Sequence, residues 1–178
     1  MPRLFTGVEI PSEVAQALAS QRGGLPGARW IDPENYHLTL RFIGDVDDTT
    51  AREVASLLDK VKRAPFDLHL DGLTSFGGRK PRAVVATVSS SQALLDVQAE
   101  HERLMQRIGL DPEGRKFTPH VTLARLRDSS SMQVAEYLSA RGYFRTAAFR
   151  VSRFVLFSSR ASVGGGPYVV EASYPLAA

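Results

Sequence analysis

Two short stretches of the chain carry the same pair of polar side chains at the same spacing. Residues 37–40 read His-Leu-Thr-Leu and residues 120–123 read His-Val-Thr-Leu, so in each stretch a histidine precedes a threonine by two positions. Residues two apart on a β-strand point to the same face. Each stretch therefore predicts an imidazole and a hydroxyl side by side on a strand, with the intervening apolar residues turned toward a core.

This set of side chains suits displacement at phosphorus. Such a reaction takes a proton from the incoming water and gives a proton to the departing oxygen. Two histidines can divide these tasks because imidazole titrates near neutral pH. The hydroxyls of Thr39 and Thr122 can donate hydrogen bonds to non-bridging phosphate oxygens. The pattern therefore predicts that His37 and His120 form an acid–base pair at a phosphoester site that requires no metal.

A single His-x-Thr motif is weak, because both residue types are common on half-buried strands. The strength of the prediction comes from an internal repeat. The offset in sequence number from His37 to His120 is 120 − 37 = 83, and the offset from Phe66 to Phe149 is 149 − 66 = 83. Two motifs at the same place within a repeat favour a shared function. The alternative is that they are symmetric relics of a duplication.

The hydrophobic pattern predicts the order strand, helix, strand, helix, strand in both halves, about 1–80 and 81–178. We therefore predict one α+β domain, residues 1–178, with two pseudo-symmetric β-α-β-α-β lobes whose mostly antiparallel sheets face a central groove. The predicted strands are 4–10, 36–43, 66–70, 83–88, 120–126 and 149–157, followed by an edge strand at 168–174 and, before it, a glycine-rich hairpin at 164–166.

Composition narrows the class of protein. The chain has no cysteine, which excludes disulfides, thiolate metal sites and cysteine nucleophiles and suits a cytoplasmic location. No apolar run approaches the roughly 20 residues that span a bilayer, and the N-terminus does not have the pattern of a secretory signal. The 22 cationic residues, most of them arginine, permit a polyanionic partner without requiring one.

Residues spread along the whole chain carry a resemblance to a known family. They are residues 3–5, Trp30, 37–46, Arg82, 117–125, 156–159 and 166–168. In these motifs the chain resembles the RNA 2′,3′-cyclic phosphodiesterase family, also called the bacterial 2′-5′ RNA ligase family, of two-histidine phosphoesterases.

The resemblance implies hydrolysis of a 2′,3′-cyclic phosphate at an RNA end to a 2′-phosphomonoester, with ATP-independent 2′-5′ ligation as the related reverse chemistry. His37 would protonate the leaving 3′ oxygen and His120 would activate water, although the symmetry leaves this order open. Thr39, Thr122 and Arg125 would bind the phosphate. Strict alternation places Arg125 on the face opposite His120, so its role requires a β-bulge or a strand end.

Further residues near the motifs are candidate RNA contacts. By alternation Arg41 shares the face of His37, although a solvated surface charge is an equal alternative. Aromatic rings could stack a terminal base, and basic loops could follow the RNA backbone. These candidates are Tyr36, Phe42, Phe117 and the basic clusters at 79–82 and 115–117.

Other functions remain open from sequence. Related two-histidine enzymes act on cyclic phosphates of ADP-ribose or on 2′-5′ oligonucleotides, and a non-catalytic RNA-binding module would keep the same groove. A metal-dependent hydrolase is disfavoured, because the chain lacks cysteine, an HExxH motif and closely spaced His/Asp ligands. We predict no cofactor and no obligate protein partner, and we expect a monomer that binds RNA with a cyclic phosphate end or a cyclic nucleotide.

Overall fold

A computed structural model describes residues 2–159 and 166–177. Residues 164 and 165 of the predicted glycine-rich hairpin lie outside the described part of the chain. The strands are β1 (Arg3–Glu9), β2 (Ala28–Trp30), β3 (His37–Asp45), β4 (Phe66–Leu68), β5 (Leu70–Phe76), β6 (Ala83–Val88), β7 (His120–Leu126), β8 (Phe149–Val151), β9 (Arg153–Ser159) and β10 (Tyr168–Pro175). The helices are α1 (Ser12–Ala19), α2 (Asp48–Leu58), α3 (Gln92–Arg107) and α4 (Ser131–Arg141), with a 3₁₀ turn at Pro33–Asn35.

Within the described residues, the strands form an eight-stranded sheet and a separate ribbon of two strands. The order in the large sheet is β10-β9-β1-β3-β7-β6-β5, with β2 also paired to β7, while β4 pairs with β8. The strand pairs are antiparallel. The predicted α+β class with mostly antiparallel sheets and two repeated lobes is confirmed.

The two halves of the chain are interlocked rather than placed side by side. Strand β5, which ends the first half, pairs with β6 in the second half. Strand β9, near the end of the second half, returns to pair with β1. Each lobe is therefore built from both halves, a crossing that hydrophobic periodicity alone does not reveal.

Equivalent residues of the two halves pair with each other at two places. Leu38 of β3 lies opposite Val121 of β7, and Asp67 of β4 lies opposite Arg150 of β8. The offsets within these pairs, 121 − 38 = 83 and 150 − 67 = 83, are those of the repeat. In an antiparallel pair of equivalent residues, a two-fold axis passes between the partners. The pseudo-two-fold axis therefore runs through both pairs, and the two motif strands meet on it.

Helices α2, α3 and α4 start at polar caps and pack their apolar faces into the core. Asp47 caps α2 by accepting a hydrogen bond from the Thr50 amide at 2.7 Å. Ser91 and Ser130 cap α3 and α4 in the same way. No described helix has the length and apolar character needed to cross a membrane.

Candidate active site

Strand β3 carries a β-bulge just after Thr39. Two consecutive residues of β1 pair with residues 39 and 41, so that Leu40 is an extra residue in β3. A bulge of this kind shifts the residues after it to the opposite face. As a result Leu40 and Arg41 are both buried, and Phe42 emerges on the same face as Thr39.

Strand β7 has the same irregularity at the equivalent place. Two consecutive residues of β6 pair with Ala124 and Thr122, which leaves Leu123 as the extra residue. Leu123 and Ala124 are both buried, and Arg125 is exposed and lines the same cavity as His120 and Thr122. The bulge that the role of Arg125 requires is therefore present.

The bulge in β3 reverses the expectation for Arg41. Strict alternation placed this side chain beside His37, but it is 6% exposed and turned toward α3. Its guanidinium donates hydrogen bonds to the carboxylate of Glu102 and to the backbone oxygens of Phe42 and Asp111. The placement of Arg41 beside His37 by strict alternation is therefore wrong, while contact of Arg41 with RNA stays a prediction.

The three aromatic candidates fall into two groups. Tyr36 is only 4% exposed and belongs to the hydrophobic core, so its stacking on a base stays a prediction with little exposed ring surface behind it. Phe42 is 46% exposed, and Phe117 is partly exposed. Both line the cavity next to His120. Phe42 and Phe117 therefore offer more exposed surface for a base than Tyr36 does.

Both histidine rings are anchored by the carbonyl oxygen of the residue two positions earlier. The Nδ1 atom of His37 lies 3.0 Å from the oxygen of Asn35, and Nδ1 of His120 lies 2.7 Å from the oxygen of Thr118. A carbonyl can only accept, so both Nδ1 atoms carry a proton and Nε2 holds the lone pair of the neutral ring. Nε2 of His37 lies 3.0 Å from Oγ1 of Thr39, which donates to it.

The Leu38–Val121 pair brings the two motifs together. In antiparallel strands, the residue before one partner lies across from the residue after the other partner. His37 is therefore neighboured by Thr122, and His120 is neighboured by Thr39. The two imidazoles and two hydroxyls share one surface around the pseudo-two-fold axis.

His37 sits in an aromatic enclosure. The centroid of its ring is 4.9 Å from that of Phe5, 5.6 Å from that of Phe157 and 4.9 Å from that of Tyr168. Burial lowers the pKa of His37 to about 4, although its hydrogen bond to the backbone acts in the opposite direction. The ring is therefore neutral in the free protein at neutral pH.

His120 has a more open setting. Its ring contacts Phe76 edge-on, with 4.8 Å between centroids. In this lobe Phe76 pairs with Ala83, and at the equivalent place in the other lobe Phe157 pairs with Phe5. Beside His120, an alanine therefore takes the place of the Phe5 ring that contacts His37. Burial lowers the pKa of His120 below its ordinary value, and nearby arginine charges add to this effect.

Two cavities flank the histidines and differ in charge. The larger, of about 720 Å³, adjoins His120. Besides the buried Arg41 and the carboxylate of Glu113, it is lined by four cationic side chains, Arg82, Arg115, Lys116 and Arg125. The smaller, of about 390 Å³, adjoins His37 and is lined by the carboxylates of Glu9 and Glu34. The larger cavity therefore suits a phosphate-bearing ligand.

Among residues 2–159 and 166–177, no group of three or more His, Asp or Glu side chains is placed to hold a metal ion.

Comparison with known proteins identifies the family. The family model of LigT-like phosphoesterases matches the chain twice, over residues 8–86 and 85–168. The chain belongs to the LigT-like phosphoesterase family. The two matches correspond to the two halves of the repeat, and the resemblance drawn from the sequence motifs is confirmed.

Individual proteins are similar to this chain over nearly its whole length. The RNA 2′,3′-cyclic phosphodiesterase of Aquifex aeolicus is 32% identical over 179 residues, which cover 96% of this chain and 93% of that protein. The structure of Escherichia coli LigT complexed with 3′-AMP has a TM-score of 0.79 at 24% identity and covers 99% of both chains. A Thermus thermophilus protein has a TM-score of 0.82 at 23% identity, over 98% of this chain and 97% of its own. The structural matches establish the shared fold.

Proposed function

We propose that this LigT-like phosphoesterase hydrolyses the 2′,3′-cyclic phosphate at an RNA end to a 2′-phosphomonoester. The observation that carries the proposal is the placement of two His-Thr pairs on one surface around Leu38 and Val121. Both imidazoles are anchored through Nδ1, so proton transfer falls to Nε2, which in His37 accepts a hydrogen bond from the Thr39 hydroxyl. The similar protein of Aquifex aeolicus carries the name of this activity.

The proposed reaction divides two proton transfers between the histidines. A water oxygen attacks the phosphorus in line with the bond to the 3′ oxygen, and Nε2 of His120 accepts the proton of the water. The bond from phosphorus to the 3′ oxygen breaks, and protonated Nε2 of His37 donates its proton to that oxygen. Each well-placed proton transfer is typically worth about 10²–10⁴-fold in rate. Exchange with solvent then restores both protonation states.

Electrostatics explains how a histidine with a low pKa can act as the acid. In the free protein, burial holds the pKa of His37 at about 4. A phosphate anion bound beside the ring favours the charged imidazolium and raises this pKa. Arg125 and the two threonine hydroxyls then hold the phosphate oxygens while the charge on them grows. The substrate itself therefore helps to protonate the acid.

The same site can support ligation. If the 5′-hydroxyl of a second RNA replaces water, the attack forms a 2′-5′ phosphodiester and expels the same 3′ oxygen. The bond energy comes from the strained cyclic ester, so the reaction needs no ATP. We propose ligation as a secondary reaction, favoured by high concentrations of RNA ends.

A cytoplasmic location and a monomeric state remain predictions from the sequence.

Product analysis tests the proposed reaction. The purified protein is incubated in EDTA with an oligonucleotide ending in a 2′,3′-cyclic phosphate, and the product is analysed by mass and by the position of its phosphate. We expect the addition of one water and a 2′-phosphate. His37→Ala and His120→Ala should each lower turnover by about 10²–10⁴-fold. His69→Ala is the matched control, because His69 lies between β4 and β5 with Asp71 and Arg145, outside this surface.

Substrate comparison separates the alternatives. Turnover is measured on a cyclic mononucleotide, a cyclic-ended RNA, an ADP-ribose cyclic phosphate and a 2′-5′ oligonucleotide. The proposal expects the highest kcat/KM for the cyclic-ended RNA, because the larger cavity presents four cations to an RNA backbone. Binding of this RNA without cleavage, unaffected by the histidine substitutions, would instead identify a non-catalytic RNA-binding module.

A further inference from the structure

The segment between α3 and β7 lines the larger cavity without regular secondary structure. Residues 110–119 are neither helix nor strand. Arg115, Lys116 and Phe117 of this segment face the cavity. In the described part of the chain, no hydrogen bond between two backbone groups connects residues 111–119 to another element. The position of these two cations and the ring therefore depends on side-chain contacts.

Arg41 and Glu102 supply two such contacts, one from β3 and one from α3. The Arg41 guanidinium donates a hydrogen bond of 2.5 Å to the backbone oxygen of Asp111. The Glu102 carboxylate accepts a hydrogen bond of 2.7 Å from the amide of Glu113. Arg41 and Glu102 also form an ion pair with each other. Together they hold both sides of Pro112, just before the cationic stretch begins.

This ion pair is ionised and largely shielded from water. The side chain of Arg41 is 6% exposed and that of Glu102 is 18% exposed. Burial alone would raise the pKa of Glu102, but hydrogen bonds from the Glu113 amide and from Arg41 bring it below its ordinary value. A buried ion pair gives little net stability but can select one conformation. This property suits an ion pair that positions a loop.

We propose that Arg41 and Glu102 are positioning residues that hold residues 111–118 over the groove and so favour cyclic-ended RNA over a cyclic mononucleotide. The inference rests on the proposed function, because it assigns the segment to the RNA chain upstream of the cyclic phosphate. A mononucleotide has no upstream phosphates, so it gains little from Arg115 and Lys116.

The other half of the repeat has no equivalent device. Ala124 occupies the position of Arg41, since 124 − 41 = 83. The approach to His37 is the short 3₁₀ turn Pro33–Asn35, whose N-cap residue Asp32 makes no side-chain cap hydrogen bond. The ion pair thus joins β3 of the first half to α3 of the second half, and the alanine at position 124 cannot form its counterpart.

Glu102→Gln tests the inference with a change of nearly equal volume. The neutral amide loses the charge that Arg41 requires, while the segment keeps its sequence. The matched control is Glu100→Gln, because Glu100 lies on the same helix and forms a 2.8 Å ion pair with Arg63 at similar exposure. Steady-state kinetics are measured on a cyclic mononucleotide and on a cyclic-ended oligonucleotide at several salt concentrations.

The expected result is a rise in KM of about tenfold for the oligonucleotide and a much smaller rise for the mononucleotide. The slope of log KM against log salt should fall by about 0.7 for each phosphate that the protein no longer neutralises. Glu100→Gln should change neither quantity. An equal rise in KM for both substrates, or an unchanged salt slope, would overturn the proposal.

A second variant covers the case in which Arg41, left without its partner, prevents folding. The double substitution Arg41→Met with Glu102→Leu removes both charges together, a change that buried ion pairs often tolerate. Amide hydrogen exchange at Glu113 should accelerate in this variant and in Glu102→Gln, but not in Glu100→Gln. Unchanged exchange would contradict the anchoring role.

Amide hydrogen exchange and RNA affinity can also test the positioning role of Arg41 and Glu102 independently of the proposed hydrolysis. Affinity is measured by fluorescence anisotropy with an oligonucleotide that ends in a 2′-phosphate. Absence of turnover in the unmodified protein would refute the proposed hydrolysis alone. If affinity and its salt slope did not fall in the double variant, the positioning role would be refuted whatever the activity.

Discussion

Phe42 and Arg125 occupy the same position in the two repeats and line the same groove with opposite chemistry. Their offset is 125 − 42 = 83, that of the repeat, and each emerges just after a β-bulge. The scaffold is therefore symmetric, while the surface that a ligand meets has a cation on one side and an aromatic ring on the other. We expect the phosphate to lie toward Arg125 and an uncharged base or ribose to lie toward Phe42.

Arg125→Ala should weaken binding of the cyclic phosphate. A charge-assisted hydrogen bond is worth about 1.5–3 kcal/mol, so KM should rise by roughly 10–150-fold. Arg125→Lys should restore only part of this, because lysine lacks the planar fork that binds two phosphate oxygens. Steady-state kinetics on a cyclic mononucleotide provide the measurement. Arg127→Ala, at an exposed position nearby, is the control, and an unchanged KM in Arg125→Ala would contradict the assignment.

Phe42→Ala should reduce the affinity for the terminal base. Stacking on an aromatic side chain is worth about 1–3 kcal/mol per base, which corresponds to roughly 5–150-fold in affinity. The measurement compares KM for two oligonucleotides with cyclic ends, one of which lacks the terminal base. Only the complete substrate should lose affinity. An equal loss for the abasic substrate would show that Phe42 acts on the shape of the groove instead.

The repeat and the two histidine motifs could be predicted because they depend on local patterns. Alternation along a strand correctly turned Leu38 and Val121 into the core and set each histidine beside its threonine. These features need only the period of a β-strand and the constant offset between the halves. The repeat and the motifs determine which histidines and threonines lie on the surface, but not which residues line the groove around them.

The positions after the bulges could not be predicted by the same rule. Leu40 and Leu123 each add one residue to a strand, and this reverses the faces of Arg41 and Arg125 relative to simple alternation. A bulge depends on pairing with a neighbouring strand, here at Gly7, where a Cβ atom would lie only 2.7 Å from the backbone oxygen of Leu38. Such long-range pairing leaves no periodic trace in the sequence.

The pH dependence should reflect two histidines with lowered pKa values. One ring must be protonated and the other neutral, so kcat/KM is expected to be bell-shaped. Because burial holds the pKa of His37 at about 4 and lowers that of His120 below 6.5, both limbs should lie on the acid side of pH 6.5. The profile of kcat, which reports the complex, should move to higher pH because bound phosphate raises both values. Coincident profiles would contradict this.

Tyr168→Ala tests whether the enclosure causes the low pKa. Removing this ring admits water to His37, which should raise its pKa toward 6.5, as measured by NMR titration of the imidazole. The limb of kcat/KM that belongs to His37 should move by the same amount. Tyr143→Ala serves as the control because Tyr143 is 94% exposed. A titration that stays near 4 in Tyr168→Ala would assign the shift to other walls of the site.

His101, outside the groove, should make folding stability depend on pH. This residue of α3 is fully buried, its Nδ1 lies 2.9 Å from Oγ1 of Thr6, and burial lowers its pKa to about 3. The unfolded chain therefore binds one more proton than the folded chain between about pH 3 and 6.5. Stability from this group is complete above that window and is lost as the pH falls through it.

His101→Gln should remove this dependence while keeping a partner for Thr6. Between pH 7 and pH 5 the unmodified protein should lose about 2 kcal/mol more of its unfolding free energy than the variant does. Urea denaturation at both values measures the difference. Thr6→Val keeps the buried imidazole and removes only its hydrogen bond, so it should retain the full pH dependence. If His101→Gln and the unmodified protein lost stability equally, proton uptake by other groups would have to explain the acid sensitivity.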